Sequence, residues 1–81
     1  MKLTYDPKHN VAYISLQRKK NMRVETLRLS DSLNVDIAPD GTVCGIELLN
    51  ANEQLTGKNK GELIVENIAT GMSAKLDLLK K

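Results

Sequence analysis

A small antiparallel all-β meander of six or seven strands, with at most one helical turn, is the fold this sequence predicts, and three observations predict it. Apolar and polar residues alternate with period two over short stretches, the signature of strands. Turn chemistry, such as Asp6-Pro7, Ser30-Asp31-Ser32 and Pro39-Asp40-Gly41, interrupts those stretches about every ten residues. With 81 residues, of which 41% are apolar, the chain has room for a single domain only.

The first strand reads from Lys2 to Tyr5, and Asp6-Pro7-Lys8-His9-Asn10 turns it, because Pro7 fixes its own φ while Asp6 and Asn10 suit turn positions. Val11 to Gln17 then places Ala12, Ile14 and Leu16 on one face and Val11, Tyr13 and Ser15 on the other. Arg18-Lys19-Lys20-Asn21-Met22-Arg23 is too charged to bury and reads as an exposed basic connection. Val24 to Leu29 alternates again, with Glu25, Leu27 and Leu29 sharing a side, and Leu33, Val35 and Ile37 follow as the inward residues of the next strand. Beyond Pro39-Asp40-Gly41, Cys44, Ile46 and Leu48 share one face. Gly45 on the other marks a bulge or a close packing approach.

Asn50 to Lys60 is a polar linker with at most one helical turn, from Ala51 to Leu55. The remainder admits two readings. Ile68, Met72, Leu76 and Leu79 fit a helical face, but that helix carries Gly71 in its interior at a cost of about 1 kcal/mol. A hairpin with Ile68 to Gly71 as its loop instead sets Leu63 opposite Leu76 and Val65 opposite Ala74, leaving Glu62, Ile64, Glu66, Lys75 and Asp77 on the other side. The hairpin is the favoured reading because it makes one face apolar throughout. The chain is accordingly read as one domain, 1–81, with a core over 1–55 and a hairpin extension over 56–81.

Twelve Lys and Arg against ten Asp and Glu leave +2, unevenly spread. Residues 1–30 carry seven basic and two acidic groups, whereas 31–56 carry five acidic groups and no basic one. Neighbouring strands from these segments attract one another, by under about 1 kcal/mol per exposed pair. Tyr5 and Tyr13 are the only aromatic residues, so the core is aliphatic and lacks the stacking faces on which single-stranded nucleic-acid and sugar sites rely. No apolar run approaches the roughly 20 residues that span a bilayer, and the first ten residues have no apolar stretch of signal-peptide length, so a cytoplasmic protein is expected.

Taken together, Tyr5-Asp6-Pro7, Ala12-Tyr13-Ile14-Ser15-Leu16, Val35-Asp36-Ile37, Asp40-Gly41 and Gly45-Ile46-Glu47-Leu48-Leu49-Asn50-Ala51 resemble the family named domain of unknown function 2283, small bacterial proteins that open with Tyr-Asp-Pro. The resemblance covers about two thirds of the chain, from Met1 to about Leu55, and supports the fold; the family has no assigned activity to carry over. Some relatives sit beside small toxin-like proteins, which implies an antitoxin or partner-binding role. The basic loop and the carboxy-terminal hairpin depart from the family pattern.

Chemistry-bearing residues are few. His9 reads as a solvated turn residue, and without a histidine partner Cys44 reads as a small buried hydrophobe rather than a reactive thiol. Asp36, Asp40 and Glu47 lie close in sequence around one hairpin, yet period two assigns Asp36 and Glu47 to opposite-facing or solvent-facing positions, so a solvated face is favoured over acid and base work or cation binding. The glycines form no phosphate-cradling motif. No catalytic residue, metal or cofactor is therefore expected. The expected function is that of a non-enzymatic protein-interaction module, regulatory or antitoxin-like in its sharper version. A homodimer is expected through Leu63, Val65, Leu76 and Leu78, alongside a protein partner of unassigned identity. The alternative is a nucleic-acid-binding accessory protein that uses the basic loop 18–28, with Arg18, Lys19, Lys20 and Arg23 on phosphates. No reading element such as a helix-turn-helix accompanies that loop, and nucleic acid is not the expected partner.

Overall fold

A computed structural model describes residues 1–16, 21, 23–56 and 61–78. Among these described residues, seven strands and one short helix follow in chain order: β1 (Lys2–Asp6), β2 (Val11–Ser15), β3 (Glu25–Ser30), β4 (Leu33–Ile37), β5 (Val43–Leu49), α1 (Ala51–Thr56), β6 (Glu62–Glu66) and β7 (Ser73–Asp77). The strands form a five-stranded and a two-stranded antiparallel sheet, which bears out the fold class. The chain divides into two compact units, Met1–Ala51 and Asn52–Lys81.

Strand order in the larger sheet is β1-β2-β5-β4-β3, which corrects the expected meander at one place. Two runs of hairpins, β1–β2 and β3–β4–β5, are joined by β5 pairing with β2, so the connection between β2 and β3 has to bridge three strand spacings, about 14 Å. Burial explains the preference. β5 carries apolar residues on both faces and includes the buried Cys44 and Gly45, which suits a central position. β3 is exposed along its whole length and carries Glu25 and Arg28, which suits an edge, where charge discourages further pairing.

The turns rest on short polar side chains. Asp6 Oδ1 accepts the backbone N–H groups of Lys8 at 3.1 Å and His9 at 3.2 Å, and Asn10 closes the loop at φ 59°. The β6–β7 loop repeats this design: Asn67 Oδ1 accepts the N–H groups of Ala69 at 3.0 Å and Thr70 at 3.3 Å, and Gly71 closes it at φ 78°. The β6–β7 register is the one the alternation predicts, Leu63 opposite Leu76 and Val65 opposite Ala74, which settles the second segment as a hairpin and not a helix. In the β4–β5 turn, the Gly41 N–H donates to Ala38 O and the Thr42 N–H to Asp40 Oδ1.

Candidate functional site

Residues directly opposite one another across an antiparallel pair share a face, so the register sorts the five-stranded sheet into two unlike surfaces. One face carries the row Leu3, Ile14, Ile46, Val35 and Leu27, one residue from each strand, and beside it the row Tyr5, Ala12, Leu48 and Leu33. The other carries Thr4, Tyr13, Glu47, Asn34 and Arg28 in one row and Lys2, Ser15, Gly45, Asp36 and Thr26 in the next.

The polar face is held by a side-chain network. Tyr13 lies across Gly45 and donates its hydroxyl to Asp36 Oδ2 at 2.6 Å, while Thr26 donates to Asp36 Oδ1 at 2.6 Å. The close approach foreseen at Gly45 is thus to an aromatic ring: a Cβ there would collide with the Tyr13 hydroxyl. Next to it, Asn34 Nδ2 donates to Glu47 Oε1 at 2.9 Å. Asp36 and Glu47 share this face, which corrects the expectation of simply solvated carboxylates; each binds side chains from neighbouring strands. At the β1–β2 turn, His9 Nδ1 lies 2.6 Å from Asp6 Oδ2, and this hydrogen bond from the ring is the main reason that the Asp6 carboxyl sits below its ordinary 3.8. Among the described residues no group of three or more His, Cys, Asp and Glu is placed to hold a metal ion.

The apolar face is built differently. Among the described residues the buried apolar side chains are small, Ala12, Ala38, Cys44 and Ala51, and Cys44 is only 2% exposed, as its alternation predicts. None of the larger side chains in the two apolar rows is buried. Leu27 is 39% exposed and Leu29 on the same edge strand 61%. At this edge a groove of about 660 Å³ opens between Val24, Leu27, Ile37, Ala38 and Pro39, with Arg23 and Glu25 on its lining.

Of the residues singled out in the sequence, Arg23 is exposed at this groove, whereas Arg18, Lys19 and Lys20 lie outside the described residues. Leu63, Val65 and Leu76 share one face of the β6–β7 hairpin, and the Leu78 N–H donates to Gly61 O at 2.9 Å, which continues the same register. Sequence reasoning missed the Tyr13–Asp36–Thr26 network; the lone glycine in β5 was its only signal.

The model of the family described as protein of unknown function (DUF2283) matches residues 2–52, which takes in all five strands of the larger sheet. The chain belongs to the DUF2283 family. The match stops where α1 begins, so the β6–β7 hairpin lies outside the DUF2283 region. The chain is also similar to the uncharacterized protein YuzE of Bacillus subtilis (strain 168), 40% identical over 48 residues, a stretch that covers 56% of this chain. It spans 37% of the length of that relative. No solved structure matches the chain. Among the described residues, no helix is long and apolar enough to cross a membrane.

Proposed function

We propose that this DUF2283 protein is a non-enzymatic protein-interaction module that presents the apolar face of its five-stranded sheet to another protein chain, in a regulatory or antitoxin-like role. The observation that carries the reading is the pair of rows Leu3-Ile14-Ile46-Val35-Leu27 and Tyr5-Ala12-Leu48-Leu33, in which Ala12 alone is buried and every larger side chain keeps part of its surface exposed. A sheet with one apolar face is stable when a second layer covers it. Each large aliphatic side chain contributes about 1.5–3 kcal/mol when taken from full exposure to full burial, and these side chains are only part of the way there. The opposite face ties its carboxylates to Tyr13, Thr26 and Asn34, which fits a structural use of those groups better than a chemical one.

Site-specific photo-cross-linking in the source cells tests this. A photoreactive side chain at Leu27, on the apolar face, is expected to give protein adducts, whereas the same group at Thr4, on the polar face, gives none. Adducts to nucleic acid from position 27, or no adducts from either position, would overturn the reading.

A further inference from the structure

We infer that the layer covering the apolar sheet face is the β6–β7 hairpin of a second copy of the chain, placed reciprocally so that two hairpins and two sheets close a twofold dimer. The inference rests on the sheet face being an interaction surface, and adds its occupant.

The hairpin is sorted for this purpose. By its register Leu63, Val65, Ala74 and Leu76 share one side, while every charge on its two strands, Glu62, Glu66, Lys75 and Asp77, falls on the other. Val65 is 56% and Leu76 61% exposed, and β7 is exposed along its whole length. A lone two-stranded hairpin is marginal in water and gains stability when its apolar side meets another layer. The receiving surface matches it, because the paired rows of the sheet are aliphatic apart from Tyr5, and at edge strand β3 they are adjoined by Glu25 and Arg23, charges of opposite sign.

Area selects two reciprocal contacts over one. Two strands of five residues cover a footprint of about 10 by 17 Å, and relief of the side chains brings the accessible surface to roughly 300 Å² on each side of the contact. One such contact removes about 600 Å², below what a specific interface needs, while two related by a twofold axis remove on the order of 1,200 Å², the lower end of the stable range.

Sedimentation equilibrium of the full chain, from micromolar to millimolar concentration, reads this directly. The wild type is expected at about twice 9.0 kDa. The double substitution Val65→Lys and Leu76→Lys is expected at the monomer mass with Cys44 still shielded from a thiol reagent, which shows that the five-stranded unit is intact. Ile64→Lys places the same charge on the other side of the same hairpin and keeps the dimer. A wild type that stays monomeric at millimolar concentration overturns the inference, as does a dimer that survives the double substitution or one that is lost with Ile64→Lys. The Leu27 cross-linker separates this proposal from the one it rests on. Adducts to a second copy support both; adducts only to other proteins overturn the dimer and leave the interaction module standing; absence of protein adducts overturns both.

Discussion

Tyr13, Gly45 and Asp36 sit on three neighbouring strands, and each makes sense only through the other two. The ring can reach Asp36 because residue 45 has no Cβ, and the hydroxyl then satisfies a half-buried carboxylate. Gly45→Ala is therefore expected to lower stability by about 1–3 kcal/mol in urea unfolding, since the ring must move and the hydrogen bond to the carboxylate is lost. In a Tyr13→Ala background the same change should cost nothing, because alanine suits a strand better than glycine; an equal cost in both backgrounds would refute the coupling. Asp6 offers a pH test. With its folded pKa held below the ordinary 3.8, chiefly by the hydrogen bond from His9, the carboxylate contributes stability that is fully present above the unfolded value and is lost as the pH falls through the folded one. Carbon NMR of the Asp6 carboxyl should give a midpoint below 3.8, and His9→Ala should move it upward; a midpoint at or above 3.8 in the wild type would contradict the assignment. Neither pattern is written locally. Gly45 announces a close approach in the sequence, but its partner lies 32 positions away, and period-two alternation cannot say which strand will be the neighbour.

Two of the hairpins use the same loop: Asp6 to Asn10 and Asn67 to Gly71 both begin with a carboxylate or amide oxygen accepting two N–H groups and end in a left-handed residue. Open space surrounds a Cβ built on Gly71, so backbone strain alone sets the cost of a substitution there. Gly71→Ala is expected to destabilise the hairpin by about 1 kcal/mol, and Gly71→Asn by less, because asparagine already holds the matching place at residue 10. Hydrogen exchange at the Asn67 amide, which donates to Met72 O at 2.8 Å, reads the difference; identical protection in both variants would show that the loop does not limit the hairpin. At this scale the sequence was informative. Turn residues placed the loops, alternation gave the register of β6–β7, and the gain of an apolar side over an interior glycine decided hairpin against helix.

For the whole molecule, the five strands of the DUF2283 region all lie within the unit Met1–Ala51, and that unit contains the buried Cys44. A fragment of residues 1–56 is expected to keep Cys44 unreactive toward a thiol reagent while binding an apolar fluorescent dye more strongly than the full chain. The sheet face loses its proposed cover when the hairpin is removed. Rapid labelling of Cys44 in the fragment would mean that the five-stranded sheet depends on the rest of the chain for its order. Dye binding equal to that of the full chain would mean that the hairpin covers nothing.

By itself the sequence determined what depends on near neighbours along the chain. Alternation gave the strands, Asp, Asn, Pro and Gly gave their turns, and a Cys44 in step with Ile46 and Leu48 gave a buried thiol. Only the tertiary structure decided the strand order β1-β2-β5-β4-β3 and the meeting of Tyr13 with Asp36. Several orders of five strands satisfy the same alternation. The choice among them comes from which strand can be apolar on both sides and which can leave its charged edge in water, a comparison between segments distant in sequence that no local pattern contains.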